Sequence, residues 1–410
     1  MSEVAAMPSV ASSVQAPARI SPDMWRAAWT VTAVFMLSNS PTPLYMVWQR
    51  ALGFSSGTLT VIFALYIAGL LGTLLIAGQL SDRYGRKPVL LPGILAALIA
   101  CALFASASSI AMLAIARLLT GVAVGVIVSA GMASVGDLGG VERRRQAALL
   151  ASVAMVLGAG LGPLLAGSAA QWLPHPIVPV FGIEWLILLS AFVIAWRLPL
   201  SRAASTQRSA AARLHLPSVP AQNRRHVAAG IGVFGPGITA TSFVLALGPS
   251  LLARLLEVRS PMLAGGMACA MFLTATGVQF AVRRWSIRTL FVAGTTATVL
   301  SMMALCAAVH ASSAVLLVIA ALFAGAGQGL GQLGGLTLIG LHVPDTRRAE
   351  ANAIMNMGGY VPAGLLPVMT GYVIDFFGFA TGATAFALAL ALIAIVAGYL
   401  VFRSLQRSGD

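Results

Sequence analysis

The chain has 410 residues, of which 59% are hydrophobic and 9% charged, with mean hydropathy +0.91. A soluble domain is nearer half apolar and a quarter charged, so a single water-facing globule is excluded and a polytopic membrane protein is indicated, with the lipid bilayer as exterior solvent. A net charge of +14 would suggest nucleic acid in a soluble chain, but the placement of the charges predicts no nucleic-acid partner.

In chain order, residues 1–22 are rich in Ala, Ser, Pro and Val and lack a long apolar core. They predict a disordered tail over 1–26, not a cleaved signal. Twelve apolar runs of membrane-crossing length follow: 27–48, 57–79, 88–107, 110–136, 146–170, 177–196, 227–252, 260–282, 288–308, 312–341, 350–374 and 378–402. They predict an all-α membrane protein with an N-terminal six-helix bundle over 27–197 and a C-terminal one over 227–403. A central loop rich in Arg, Ser, Ala and Pro, 198–226, joins them, and 404–410 forms a tail.

Positive charge sets orientation. With both termini, the central loop and the tails in the cytoplasm, 21 of the 25 basic residues face inward. Arg50, Arg254 and Arg259 fall outside, and Arg117 alone lies within a span. The halves also echo each other at an offset of 204 residues. It pairs ARLLTGVAVG from Ala116 with AALFAGAGQG from Ala320, Arg143-Arg144 with Arg347-Arg348, Pro163 with Pro367, Gly167 with Gly371 and Arg50 with Arg254. A duplicated six-helix unit is a transporter signature.

Between the second and third runs lies GQLSDRYGRK, Gly78 to Lys87, a cluster of charge in a chain poor in it. It resembles the loop 2–3 signature of the major facilitator superfamily, matching at Gly78, Leu80, Asp82, Arg83, Gly85, Arg86 and Lys87. With the twelve runs and the repeat, the resemblance covers about residues 25–405, within the twelve-helix drug/proton antiporter group. It implies two pseudo-symmetric bundles in the major facilitator fold and a monomer with no cofactor. It also implies a conformational latch in which Asp82 meets helix-end dipoles and basic partners in the outward-open state. Asp137, at the end of the fourth run, matches a second acidic member, with Arg86 as the bridge. Gly78 is expected to admit a neighbouring helix and Gly85 to permit the turn. Arg83 and Lys87 serve equally as topology anchors. The equivalent loop of the second half, VRRWSIRTLF, keeps basic residues but lacks the Asp and the Gly.

Two further segments resemble the same family. Arg117-x-x-x-Gly121 is similar to its R-x-x-x-G segment, which implies an Arg beside the central cavity that acts on protons or anionic substrate groups. Its alternative is an Arg snorkelling to the outer surface. GAGLGPLLAG, with Gly158, Gly160, Gly162, Pro163 and Gly167, resembles the antiporter signature, with Ala166 in place of one Gly. Gly158 and Gly162 predict a close-packing face, and Pro163 removes a backbone donor. The resemblance implies export.

Polar residues in the runs are the cavity candidates. Gln328 and Gln332 share one helix face, as do Asn352, Asn356 and Tyr360, and Asn39, Tyr45, Tyr66 and Arg117 are added. GLGQLG at 329–334 fits a nucleotide-binding pattern, but no strand precedes it. Glu184 is the one acid predicted to be deep in a span. A carboxyl away from water suits proton carriage, and Arg117 lies at similar depth and could pair with it. A structural Glu is the alternative, and the first span holds no acid. Cys101, Cys269 and Cys306 sit in apolar runs without metal or disulfide spacing, so no metal is expected.

These readings predict a secondary transporter of the inner membrane, working by alternating access and exporting a small amphipathic molecule or drug against inward proton flow. The alternative is a facilitator or importer of a small organic anion or sugar, with Arg117 as its anchor. No catalytic constellation is found at depth, so an enzyme is not expected.

Overall fold

The computed structural model describes residues 21–140, 142–200, 217–254, 257–258, 260–282, 284–344 and 347–408. Most of the tail expected over 1–26, and residues 201–216 of the central loop, lie outside the described residues. So do Arg259 and Arg283.

The described residues form helices without strands. The first begins earlier than hydropathy indicates. The helix α1 spans Pro22–Asn39, so residues 22–26 are helix, not tail. Ser21 caps it by accepting from the Met24 N–H at 3.3 Å, Pro22 fills the first turn and Asp23 meets the positive helix end. The first run is also not one helix. It breaks at Ser40, and α2 continues as Pro41–Leu52. Pro41 and Pro43 carry no N–H, which takes the usual donors from the carbonyls of Leu37 and Asn39. Ser40 keeps helical angles, φ −56° and ψ −34°, so the span is opened locally and not turned back.

Next come α3 (Ser56–Tyr84), α4 (Arg86–Ala105) and the fourth span, which has three parts. These are α5 (Ile110–Val126), a π-helical turn at Ile127–Gly131 and α6 (Met132–Gly139). The half closes with α7 (Arg144–Trp172) and α8 (Ile177–Arg197). The second half opens with a 3₁₀ turn at Ala221–Asn223 and α9 (Arg224–Arg254). The central loop therefore gives way to helix before residue 226. The remaining helices are α10 (Pro261–Ala281), α11 (Ile287–His310), α12 (Ala314–His342), α13 (Arg348–Phe377) and α14 (Phe379–Ser408). The last one runs beyond the expected end at 403.

Eleven of the helical segments are long and apolar enough to cross a membrane, and the interrupted α1–α2 pair makes the twelfth span. The 204-residue offset recurs in the elements themselves: α5 begins at Ile110 and α12 at Ala314, α7 at Arg144 and α13 at Arg348. The two largest buried clusters divide in the same way, one built from 24–198 and the other mainly from 234–390. The chain is thus two pseudo-symmetric six-helix bundles.

The halves meet most extensively along two helix pairs, α3 with α13 and α7 with α10, with α2 touching α9 and α10 beside them. Both pairs are closest at one end. At Gly371 of α13 a Cβ would meet the Ser56 carbonyl at 2.8 Å and the Gly57 Cα at 3.0 Å. Gly167 of α7, its partner at the 204 offset, presses on the Pro261 carbonyl and on Gly265 of α10. Hydrogen bonds from Ser56 and Gly57 to Asp375, and from Ser260 to Gln171, tie the halves there. We call this end the far face, and the opposite end, with Arg83, Arg86, Arg144 and Arg348, the basic face.

Toward the basic face α3 and α13 part. Gly57, Thr60 and Ile67 of α3 all touch α13. Gly78 continues that row by helical spacing, yet a Cβ placed there would meet nothing within 4 Å. The close helix approach expected at Gly78 is therefore not made, because α13 has already diverged. The α3–α13 contact is thus tight at the far face and open at the level of Gly78.

Candidate functional site

Three groups of residues carry chemistry, each near a different level of the bundle. The first is at the basic face. Gly85 joins α3 to α4 at φ 97° and ψ 163°, a conformation that favours glycine, so α4 starts immediately. The turn brings Arg86 beneath two acids. Its Nη1 donates to Asp82 Oδ1 at 2.7 Å and to Ser81 Oγ at 2.9 Å, and its Nε donates to Asp137 Oδ2 at 2.9 Å. Both acids belong to the N-terminal half, so in this state the network staples α3, α4 and α6 and does not cross the halves. Lys87 turns away and donates to the Leu198 carbonyl at 3.5 Å. Arg83 stacks over the ring of Tyr84 at 5.3 Å.

The second group surrounds the broken turn of the first span. Gly158 and Gly162 of α7 lie against α1. Cβ atoms there would collide with the backbone at Thr32 and Met36, and Thr32 Oγ1 donates to the Ala154 carbonyl at 3.1 Å. Pro163 shows its carbonyl to Gly265, so α7 packs on its own half with one face and on α10 with another. Ala166, which departs from the antiporter signature, is fully buried.

Arg117 and Glu184 reach this turn from opposite sides. Arg117 is wholly buried, its Nη1 donates to the Ser38 carbonyl at 2.7 Å, and its guanidinium sits 5.1–5.6 Å from the ring centres of Tyr45, Phe63 and Tyr66. Among the described residues its Nε and Nη2 have no hydrogen-bond partner. Gly121 explains the position: without a side chain it lets α5 press on α3 at the Tyr66 carbonyl, carrying Arg117 to the tyrosine ring. The snorkelling alternative does not hold, because the side chain points into the bundle. Glu184 is likewise buried and accepts from Ser40 Oγ through Oε1, while Oε2 is unpartnered. The direct Arg117–Glu184 pairing considered from depth alone does not form, since the α1–α2 junction stands between them. Nearby, the Cys101 thiol donates to the Phe181 carbonyl at 3.1 Å. The three cysteines are free, and the described residues contain no cluster of metal-ligating side chains.

The third group is the junction between the halves. Tyr66 of α3, Phe272 of α10 and Tyr360 of α13 each pack against the buried clusters of both halves. Tyr360 meets Phe234 edge-on at 6.2 Å, and Phe63 tilts against Tyr66 at 6.5 Å. Gln328 Oε1 and Asn352 Oδ1 are buried amide oxygens without partners among the described residues. Gln332 and Asn356 are half-buried, each one turn along from its amide. Asn39 and Tyr45 instead sit inside the N-terminal half. Asn39 donates to Ser38 Oγ at 2.9 Å, and Tyr45 tilts against Trp48 at 5.9 Å.

A family model described as the Major Facilitator Superfamily matches residues 27–285 and 262–409. The chain belongs to the major facilitator superfamily. Solved structures of this fold superpose along nearly the whole chain. They include the nucleoside transporter NupG (TM-score 0.72, 13% identity, covering 93% of this chain and 99% of that one). The peptide transporter POT bound to alafosfalin gives 0.70, 17%, and 94% of each chain. At such identities they speak for the fold alone.

Curated relatives in the superfamily are matched over shorter stretches. Multidrug resistance protein MdtL of Escherichia coli O81 (strain ED1a) is 29% identical over 157 residues, 37% of this chain and 39% of that protein. MdtL of Klebsiella pneumoniae (strain 342) is 32% identical over 97 residues, 23% and 25% respectively. A triacylglyceride transporter of Mycolicibacterium smegmatis (strain ATCC 700084 / mc(2)155) is 31% identical over 137 residues, 33% and 24%. The chain thus spans between 24% and 39% of these relatives' lengths. Family and structural neighbours are membrane transporters, and the chain is a multi-pass membrane protein of that superfamily.

One polar residue that ties the halves together escaped the sequence reading. Asp375, near the far end of α13, reads in sequence as one more acid at a helix end, yet it accepts from two backbone N–H groups of the other half.

Proposed function

We propose that this chain is a secondary transporter of the inner membrane, exporting a small amphipathic compound by alternating access against inward proton flow. The observation that carries this reading is the geometry of the α3–α13 pair, tight at the far face and open toward the basic face. It is what one half of such a cycle requires. The excess of Lys and Arg makes the basic face, with both termini, cytoplasmic. In this orientation the structure is the state that loads from the cytoplasm. The relatives named as multidrug resistance proteins support drugs or similar apolar cations and neutrals as cargo, and the aromatic junction of Tyr66, Phe272, Tyr360 and Phe234 suits them.

Within this reading Glu184 carries the proton. Its carboxyl is buried with one oxygen unsatisfied, and it is held by Ser40 in the opened turn of the first span. Gaining or losing the proton would alter that contact, and with it the bend of a helix that lines the route. Arg117 sets the other side of the turn. Asp82, Arg86 and Asp137 form the latch, which would engage the other half when the basic face closes. The domain division is six spans, a cytoplasmic loop and six spans, and the protein works as a monomer.

Ethidium efflux from cells overproducing the protein tests the reading, with and without a protonophore, for wild type, Asp82→Asn and Glu184→Gln. We expect lower dye accumulation in wild type, abolished by the protonophore and absent in both variants. No dye movement at good membrane expression would overturn drug export.

One observation favours a second cargo class. The unpartnered Nε and Nη2 of Arg117 could receive a carboxylate, which would make the chain a facilitator or importer of a small organic anion or sugar. Uptake of labelled anions and sugars, lost in Arg117→Met, distinguishes it.

A further inference from the structure

The far end of α13 repeats, in sequence and in conformation, the basic-face end of α3. Asp82-Arg83-Tyr84-Gly85 ends α3, and Asp375-Phe376-Phe377-Gly378 ends α13. Each has an aspartate two residues before the last helical position, an aromatic at that position, and then a glycine. The glycines share one backbone conformation, φ 97° and ψ 163° at Gly85, φ 85° and ψ 166° at Gly378. In both cases the next helix starts at once. The repeat does not follow the 204-residue offset between the halves.

The two helices that bear these ends are neighbours and run antiparallel. The N-terminus of α3 therefore lies beside the end of α13 that carries Asp375. The contact there is complete: Asp375 Oδ1 accepts from the Ser56 N–H at 2.9 Å, and Oδ2 accepts from the Gly57 N–H at 2.8 Å. These N–H groups belong to the first turn of α3, where no intrahelical acceptor exists and the helix dipole is positive. Gly57 is needed for the fit, since a Cβ would stand 2.8 Å from Asp375 Oδ2 and from the Tyr372 ring. Each oxygen of one carboxylate is thus matched to one orphan donor across more than three hundred residues of sequence.

We infer that Asp375 is the latch of the far face. It is a positioning residue that holds the N-terminus of α3 and keeps this side closed while the basic face is open, and it releases α3 when the far face opens. The inference rests on the proposed alternation between two openings, and it assigns the Asp-Phe-Phe-Gly segment a role matching that expected of Asp-Arg-Tyr-Gly at the other side. It deals with access and not with cargo, so it holds whichever compound is carried.

The test measures the opening itself. Spin labels at Ser108 and Ala311, on exposed far-face turns of the two halves, report their separation by pulsed dipolar spectroscopy. The protein is full length in lipid nanodiscs, with Cys101, Cys269 and Cys306 changed to alanine. Asp375→Asn should raise the long-distance population at least fivefold, while Asp375→Glu, which keeps the charge, should stay within twofold of the parent. Ser56→Pro gives an independent route. It deletes one of the two donors at a first-turn position that accepts proline, so the helix survives. It should also raise the long-distance population, and the double variant should exceed the larger single effect by less than twofold. A Gly57→Trp wedge serves as the reference for forced opening. If the wedge opens the far face but Asp375→Asn and Ser56→Pro leave it closed, the latch is overturned and the alternation stands. If the wedge also yields no long distance, the alternation falls and the latch with it.

Discussion

Arg117 and Glu184 hold the same helical turn without touching each other: the arginine donates to the Ser38 carbonyl, and Ser40, two residues on, donates to the glutamate. The turn they share is the one that Pro41 and Pro43 have opened. The two prolines, unremarkable in a hydropathy profile, thus lie beside the place where Arg117 meets a backbone carbonyl and Glu184 a hydroxyl.

Glu184→Gln preserves the shape and can still accept from Ser40, but it cannot take up a proton. In proteoliposomes, pH-gradient-driven efflux should fall at least tenfold, while exchange of cargo between the two sides at equal pH stays within twofold of wild type. Equal loss of both activities would make Glu184 structural.

At Arg117 the cost of substitution depends on volume more than on charge. The guanidinium makes one hydrogen bond and leaves two nitrogens unpartnered, so its burial is incompletely compensated. Arg117→Met fills most of the space and should cost about 1 kcal/mol, whereas Arg117→Ala leaves a cavity and should cost about 3 kcal/mol. Unfolding of the purified protein in a mild detergent measures both. A larger loss in the methionine variant would mean that the charge itself stabilises the fold.

The glycines separate packing from gating. Gly121→Ala would drive a methyl into the Tyr66 carbonyl and the Leu70 amide, and should destabilise by about 1–3 kcal/mol. Gly78→Ala meets open space here and should change stability by less than about 1 kcal/mol, with helix propensity in its favour. If the basic face closes as proposed, α13 returns to this row and Gly78→Ala should still lower transport at least fivefold. Melting curves and efflux rates on the same preparations decide it.

Asp82 and Asp137 offer a comparable separation. Their side chains are 72% and 56% exposed, and exposed ion pairs contribute about 0–1 kcal/mol. Asp82→Asn and Asp137→Asn should therefore each cost less than about 1 kcal/mol in stability, while efflux drops at least tenfold for Asp82→Asn. A parallel loss of stability and transport would reduce the network to a surface staple.

Much of the architecture is legible in the sequence because lipid leaves a chain few options. Long apolar runs mark the spans, and the GQLSDRYGRK segment announces the Asp82–Arg86–Asp137 cluster, whose members share one turn and the end of one neighbouring helix. The break at Ser40 is harder to read, since Pro41 and Pro43 sit within an apolar run that hydropathy joins end to end. Depth alone makes a pairing of Arg117 with Glu184 plausible. Depth is one coordinate, and the α1–α2 junction between the two residues is invisible until the helices are packed. Asp375 is the hardest case, for its partners are two backbone amides in another bundle, and backbone amides leave no mark in a sequence.

The antiparallel pairing of α3 and α13 has a kinetic consequence. With an aspartate near the end of each helix, securing one face would leave the other aspartate without its cross-half partner. The resting balance between the two closures then depends on the difference between the two holds, and the speed of turnover on their depth. Tightening both by the same 1.4 kcal/mol would leave the balance unchanged and slow each crossing about tenfold. A fast carrier of this design needs two grips that are equal and weak, which fits holds made of one exposed carboxylate and a few hydrogen bonds at each end.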